Sequence, residues 1–166
     1  AEALENIDEI IEASNAIMIA RGDLGVEIGD AQLPAVQKNL IKKARKKDKV
    51  VITATQMMES MMTNSIPTRA EVFDVANAVI DGTDAVMLSS ETAMGDHPVE
   101  AVEAMSRICE GSEGQNPLTM KGSNYSIENK KVDRAIAMAC MLTADNLNPK
   151  AIAAITESGS TAPVSY

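Results

Sequence analysis

The sequence is poor in aromatic residues and has no long apolar run. One Phe, two Tyr and no Trp leave almost no rings on which nucleic-acid bases could stack. No stretch approaches the roughly 20 consecutive apolar residues that a membrane-spanning helix needs. With 45% hydrophobic residues the chain is nonetheless typical of a globular protein. These features argue against a binder of single-stranded nucleic acid and against a membrane span.

Positive charge is also in short supply. Fifteen Lys and Arg face twenty-four Asp and Glu, a formal net charge of −9. Nucleic acid needs a cationic surface, so we expect a metal cation rather than nucleic acid as a charged partner. The one basic run lies at residues 42–49, where cations suit the end of a helix; docking of an acidic partner or of nucleotide phosphates is the alternative.

Cysteine is rare, and eleven methionines have to help fill the core. Cys109 and Cys140 have no neighbouring His or second Cys, which predicts buried free thiols and fits a reducing cytoplasm. The chain does not begin with Met and shows no leader, so we expect it to be a piece of a longer protein.

Apolar periodicity predicts helices and strands in alternation. Uninterrupted apolar runs at residues 16–20, 50–55 and 85–89 have centres 34 and 35 residues apart, and helical spacing fills the intervals. Runs that are apolar on both faces are typical of a parallel sheet covered by helices. Two architectures fit, a doubly wound sheet and a (β/α)₈ barrel, although three units cannot close a barrel.

A change in composition predicts a second domain. Residues 113–129 are rich in Ser, Gly, Asn and Lys without any period, which indicates a linker or loop. A strong helical pattern follows from residue 132, and residues 151–155 predict a fourth buried strand. The expected division is therefore 1–112, a linker at 113–129, and 130–166.

Polar residues at the ends of two predicted strands are candidates for a binding site. After the first strand, Gly22 lets a ligand approach the backbone, and Asp23 can offer carboxylate oxygen to Mg²⁺. A turn with an Asp cap would use the same residues. Thr55 ends the second strand, at the edge where parallel sheets bind ligands, although taken alone it is better explained as an ordinary β-branched strand residue.

Three further patterns have simpler readings. Met57, Met58, Met61 and Met62 have helical spacing, which predicts core packing rather than a metal site. Glu91, after the third strand, is interpreted as a hydrogen-bond partner that pins a loop rather than as a catalyst. Residues 156–161 have the composition of a phosphate-wrapping loop, which is also that of common Ser/Gly turns.

Four segments together resemble the pyruvate kinase family, in bacterial style. They are residues 17–25 (IMIARGDLG), 52–61 (ITATQMMESM), 67–71 (PTRAE) and 81–89 (DGTDAVMLS). The resemblance implies an α/β fold: the last three βα units of a (β/α)₈ TIM barrel at 1–112, and the first helix and strand of an α/β C-terminal regulatory domain at 130–166.

The resemblance also implies roles for individual residues. Asp23 matches a carboxylate ligand of the catalytic Mg²⁺ (or Mn²⁺), and the amides of Gly22 and Asp23 match those that hold the substrate carboxylate. Thr55 matches a catalytic hydroxyl on that carboxylate, near the site of enolate protonation. The matches to the family's effector-phosphate loop are Thr156, Ser158, Gly159, Ser160 and Thr161.

The implied reaction is glycolytic phosphoryl transfer from phosphoenolpyruvate to ADP, giving pyruvate and ATP. The family's partners then include K⁺ and a phosphorylated effector, and the full-length enzyme is expected to be a cytoplasmic homotetramer. The family's Lys-x-Glu strand, with the transition-state lysine and a second metal carboxylate, is absent from the sequence. The isolated chain is therefore expected to be inactive.

Two alternatives remain open at this stage. One is a non-catalytic module that binds a phosphorylated effector through the loop beginning at Thr156. The other is a different Mg²⁺-dependent barrel enzyme acting on enolpyruvate-like substrates, which would need only the sheet edge and a carboxylate.

Overall fold

Three parallel strands lie side by side in chain order. They are β1 (Ala16–Ala20), β2 (Val50–Ala54) and β3 (Ala85–Met87). The β1–β2 register runs from Ala16 opposite Val50 to Ala20 opposite Ala54. The predicted α/β fold with a parallel sheet is confirmed, and the carboxyl ends of β1 and β2 are level with each other.

The computed structural model describes residues 2–113, 132–147 and 149–155. The chain forms two compact units, Ala1–Gln115 and Asn116–Tyr166. The described helices of the first unit are α1 (Glu2–Glu5), α2 (Ile7–Ala13), α3 (Arg21–Ile28), α4 (Leu33–Lys46), α5 (Arg69–Asp81), α6 (Ser90–Ala93) and α7 (Pro98–Glu113), with a 3₁₀ turn at Glu59–Met62. In these ranges no helix is long and apolar enough to cross a membrane.

Two apolar clusters hold the first unit together. Helix α4 packs its buried face, with Leu40 and Ile41, against Ile19 and Val51 of the sheet. The second cluster forms where the chain leaves β2, and Met57, Met58 and Met61 are fully buried in it with residues of α5 and α7. The prediction of core packing is confirmed for these three methionines, whose unbranched, adaptable side chains fill the irregular space under this turn, whereas Met62 is only partly buried.

Both ends of α5 follow the sequence signals. Thr68 caps the helix: its hydroxyl accepts from the Glu71 amide, and the Glu71 carboxylate accepts from the Thr68 amide at 2.8 Å. Gly82 ends the helix with φ +91°, and a Cβ there would meet the Arg45 guanidinium. The capping box fixes the start of the helix, and only glycine adopts this end without strain.

Glu71 links the start of α5 to the 3₁₀ turn and makes stability depend on pH. Its carboxylate accepts from the amide and hydroxyl of Ser60, at 2.7 and 2.5 Å. Burial raises the pKa of Glu71, but the hydrogen bonds from Ser60 and Thr68 together lower it below the ordinary 4.5. A carboxyl with a depressed folded-state pKa stabilises the fold above its unfolded pKa and loses that contribution as pH falls through the folded value.

We therefore expect the unfolding free energy to fall as pH drops below about 4.5. The contribution of Glu71 to this loss of unfolding free energy should stay well below about 1.4 kcal/mol per pH unit, because solvent screens a carboxyl that is only partly buried. Thermal unfolding of the chain and of Glu71→Gln, measured across this range, isolates that share. The variant should show the shallower pH dependence. Parallel curves for the two proteins would contradict the assignment.

The basic run of residues 42–49 attaches α4 to α2. Lys43 pairs with Asp8 at 2.7 Å, and Lys47 pairs with Glu12 at 3.0 Å. The run also reaches the end of α2, where the Lys49 ammonium donates to the carbonyl of residue 14 at 2.6 Å. The Lys43 ammonium lowers the pKa of Asp8. These cations thus bind the neighbouring helix α2, where the sequence predicts only a solvated helix end.

The second unit contains helix α8 (Val132–Leu147), as the periodicity predicts. The predicted strand at residues 151–155 is wrong, since these residues are without strand pairing and Ile155 is fully exposed. An apolar run becomes a strand only where a neighbouring strand supplies hydrogen-bond partners, and none of the described residues does so here.

The cysteine prediction is half right. Both thiols are free, but Cys109 is only half-buried and Cys140 on α8 is exposed. Burial, followed by the nearby carboxylates of Glu113 and Glu110, raises the pKa of the Cys109 thiol. A thiol held protonated in this way is a packing group rather than a nucleophile.

Candidate functional site

The candidate residues converge at the carboxyl ends of β1 and β2. Ala20 and Ala54, the last residues of the two strands, are paired in the ladder. Helix α3 starts immediately after β1 with Arg21, Gly22 and Asp23, and Thr55 comes immediately after β2. The polar residues that the sequence places at the ends of two strands therefore lie at one edge of the sheet.

A hydrogen bond joins the two halves of this edge. The Gly22 amide donates to Thr55 Oγ1 at 2.9 Å. Because the Thr55 oxygen accepts this bond, its own hydrogen stays available to donate to a ligand. A Cβ added to Gly22 would lie 3.6 Å from the same oxygen, an ordinary contact, so the protein's own packing leaves room for an alanine there.

Asp23 lies in the first turn of α3 with its side chain exposed. The free amides of a first helical turn and the helix dipole favour anions at this end of α3. The exposed Asp23 carboxylate can offer oxygen to a cation. The neighbouring amides can donate N–H groups to an anionic ligand of that cation. This is the combination that a metal-bound carboxylate or phosphate requires.

The donor set of the described residues contains no complete metal cage. No group of three or more His, Cys, Asp or Glu side chains is placed to hold an ion in those residues. Mg²⁺, however, usually keeps several waters and takes one or two protein carboxylates together with substrate oxygens. A single exposed carboxylate at Asp23 therefore fits part of a Mg²⁺ site.

Arg21 is the residue of this edge whose role the sequence reasoning missed. Its side chain is buried, with 5% of the residue exposed. It donates to the Thr55 carbonyl from Nε at 3.1 Å and from Nη2 at 2.7 Å, and to the Gln56 carbonyl at 2.8 Å. Thr55 and Gln56 both have left-handed backbones, with φ of +65° and +52°.

The interpretation of Glu91 as a hydrogen-bond partner that pins a loop is confirmed. Its carboxylate, in a residue only 1% exposed, accepts from the Met58 amide at 3.2 Å and from the Ser89 amide at 2.9 Å. It thereby ties the segment that follows Thr55 to the end of β3. Both oxygens are engaged by backbone amides, so Glu91 supports the edge and offers no free carboxylate to it.

The remaining candidates fall elsewhere in the chain. The predicted effector-phosphate residues lie outside the described residues; they are Thr156, Ser158, Gly159, Ser160 and Thr161. Their assignment stays a prediction from the sequence.

Comparison with known proteins gives one consistent result. The family profile described as pyruvate kinase, barrel domain, matches residues 1–102. The pyruvate kinase of Buchnera aphidicola subsp. Baizongia pistaciae is 54% identical over 97% of this chain and 34% of its own length. Pyruvate kinase II of Salmonella typhimurium is 55% identical over 94% of this chain and 33% of its own length.

A solved structure agrees with these relatives. The crystal structure of a pyruvate kinase from Cryptosporidium parvum superposes with a TM-score of 0.94 at 44% identity. The match covers 99% of this chain and 34% of that one. The chain thus spans about one third of the length of the proteins that it matches.

Proposed function

The chain belongs to the pyruvate kinase family, and from that premise we propose that it contributes part of an active site for phosphoryl transfer from phosphoenolpyruvate to ADP. The observation that carries this proposal is the meeting of Gly22, Asp23 and Thr55 at the carboxyl edge of β1 and β2. Active sites of (β/α)₈ barrels lie at this edge. The proposed enzyme is the full-length protein that contains this chain, the parent polypeptide.

We also propose which part of a (β/α)₈ barrel this chain forms. We assign residues 1–112 to the last three βα units, 113–129 to a linker, and 130–166 to the start of a C-terminal domain. In support, β1 to β3 are parallel neighbours in chain order, as consecutive barrel strands are. Five further strands of the parent polypeptide would complete the barrel.

The substrate carboxylate is proposed to bind between the two strand ends. The amides of Gly22 and Asp23 lie in the first turn of α3, where N–H groups have no intrahelical partner. The Thr55 hydroxyl, 2.9 Å from the Gly22 amide, adds a third donor on the other side. The Gly22 amide would exchange its bond to Thr55 Oγ1 for the substrate, and the three donors would then fix the carboxylate and orient the rest of the molecule.

Asp23 is proposed to hold a divalent ion, Mg²⁺ or Mn²⁺, beside that carboxylate. A divalent ion at this position would neutralise negative charge on the phosphoryl group and on the enolate oxygen. Asp23 fits this role because its carboxylate is exposed and next to the proposed carboxylate site. A second carboxylate ligand and the transition-state lysine would come from the part of the parent polypeptide that precedes residue 1 of this sequence.

The chemistry divides into two steps. An oxygen of the ADP β-phosphate forms a bond to the phosphorus, while the bond from phosphorus to the enol oxygen breaks and leaves its electron pair there as the pyruvate enolate. The enolate then takes a proton from the solvent at its methylene carbon and becomes pyruvate. The Thr55 hydroxyl donates to the substrate carboxylate, near the carbon that is protonated, and stabilises the charged intermediate.

Family membership supports three further features of the parent polypeptide. We propose K⁺ as a further cofactor, a homotetrameric parent polypeptide, and a phosphorylated effector bound at residues 156–161. A cytoplasmic location is supported by the two free cysteines.

Pyruvate formation tests the proposed function. In a lactate-dehydrogenase-coupled assay, the parent polypeptide with Mg²⁺ should turn over phosphoenolpyruvate and ADP at about 1–10³ s⁻¹. The 166-residue chain alone should show no measurable turnover, because it lacks the lysine and the second metal carboxylate. An inactive parent polypeptide would refute the proposed function, and an active isolated chain would refute the claim that the lysine and the second carboxylate are essential.

A further inference from the structure

The guanidinium of Arg21 is buried, and four of its five N–H donors bind protein oxygens. Arginine is seldom buried unless its charge is paired and its N–H groups are satisfied. Here Nη1 pairs with Asp74 Oδ2 of α5 at 2.5 Å, while Nε and Nη2 serve the carbonyls of Thr55 and Gln56. One side chain thus connects the end of β1 to the end of β2 and to α5.

The backbone of Thr55 and Gln56, whose carbonyls accept hydrogen bonds from Arg21, is strained. Thr55 and Gln56 lie in succession in the left-handed region, at φ of +65° and +52°. A β-branched residue such as Thr rarely adopts this conformation, and it persists only where the surroundings enforce it. In the described structure, the carbonyls of both residues accept from the same guanidinium.

We propose that Arg21, anchored by Asp74, is a positioning residue that holds the Thr55–Gln56 turn in its left-handed conformation and so keeps the Thr55 hydroxyl at the substrate edge. The inference rests on the proposed function and deepens it. In this proposal Arg21 does not bind the ligand, since four of its five donors are engaged by protein oxygens. It acts through Thr55.

The shape of the side chain explains why arginine is needed. A guanidinium presents its donors in a flat, rigid fork, which here reaches two successive carbonyls and a carboxylate at once. A lysine keeps the positive charge but offers one compact ammonium on a flexible stem. Arg21→Lys therefore conserves charge and removes the geometry.

A double-mutant cycle in the parent polypeptide tests this inference. Arg21→Lys, Thr55→Val and the double variant are compared by kcat/KM for phosphoenolpyruvate, with the KM for ADP measured alongside. We expect each single variant to lose about 100-fold in kcat/KM, since misplacement of a reacting group by about 1 Å has effects of this order. In the Thr55→Val background, Arg21→Lys should cost less than about threefold, because the hydroxyl that it positions is gone.

A merely structural role gives a different outcome. Arg21→Lys would then lower the melting temperature and cause the same fold-loss in both backgrounds, which would overturn the inference. The matched control is Lys38→Gln, which breaks an exposed ion pair of 2.5 Å between α4 and Asp81 of α5. It should leave kcat/KM within about twofold.

A second variant covers the case in which Arg21→Lys does not fold. Asp74→Asn leaves the arginine in place but removes its ionic anchor, and should cost on the order of tenfold in kcat/KM. That loss should largely disappear in the Thr55→Val background, because no hydroxyl is then left to position. An equal fold-loss from Asp74→Asn with and without the Thr55 hydroxyl would overturn the inference.

Failure of the proposed function is a separate result. If the unaltered parent polypeptide does not turn over phosphoenolpyruvate, the proposed function is wrong whatever Arg21 does. The positioning role is then judged from the crystal structure of the Arg21→Lys variant. A Thr55 φ that stays near +65° without the guanidinium would overturn it, and a shift to negative φ would support it.

Discussion

Replacing Asp23 with asparagine is expected to lower kcat/KM of the parent polypeptide for phosphoenolpyruvate by at least about 10³-fold. The substitution keeps the size of the side chain and removes the charge that a divalent ion needs. Asp23 is exposed in the first turn of α3, so the fold has little dependence on its carboxylate. The loss should therefore appear in turnover while the melting temperature changes by only a few degrees.

The Mg²⁺ dependence of the rate identifies the cause of that loss. The Asp23→Asn variant should need a much higher Mg²⁺ concentration for half-maximal rate, or fail to saturate. Asp30→Asn is the control, because Asp30 is an exposed acidic residue just beyond the end of α3. If Asp23→Asn kept normal Mg²⁺-dependent turnover, the metal assignment would be wrong.

Replacing Glu91 with alanine is expected to destabilise the first unit by about 3–5 kcal/mol. The Glu91 carboxylate is buried and accepts from the amides of Met58 and Ser89. Without it, two backbone N–H groups are left without a partner, at roughly 1–3 kcal/mol each, and the lost side chain leaves a cavity. Such a loss is a large part of the roughly 5–15 kcal/mol that typically stabilises a domain.

Thermal unfolding and amide hydrogen exchange of the chain measure this effect. The amides of Met58 and Ser89 should lose their protection in Glu91→Ala. Glu103→Gln, on the exposed face of α7 with a 4.0 Å ion pair to Arg107, is the control and should change stability by less than about 0.5 kcal/mol. A Glu91→Ala protein as stable as this control would show that the carboxylate does not hold the two segments together.

Much of the fold follows from local signals in the sequence. The start of α5 could be predicted because the Thr68 cap, the Glu71 partner and the preceding Pro67 act within a few residues of each other. The three strands could be predicted because each apolar run is paired with a neighbour of the same kind. Residues 151–155 carry the same apolar signal without a described partner strand, and they form no strand.

Only those site residues that directly follow a predicted strand could be recognised from the sequence. Gly22, Asp23 and Thr55 can be assigned to strand ends from the sequence, and parallel strands bring their carboxyl ends to one edge. The left-handed Thr55 could not be foreseen, since a β-branched residue favours extended backbone. The burial of Arg21 could not be predicted either, because its hydrogen-bond partners lie 34, 35 and 53 residues away in the sequence.

The central claim is that Gly22, Asp23 and Thr55 form one substrate and metal edge. A crystal structure of the parent polypeptide with Mg²⁺ and an unreactive analogue of phosphoenolpyruvate tests it most directly. We expect the Asp23 carboxylate to bind the ion, and the analogue's carboxylate to lie within hydrogen-bond distance of the Gly22 and Asp23 amides and the Thr55 hydroxyl. An ion and analogue bound at another place, with Asp23 and Thr55 facing solvent, would contradict it.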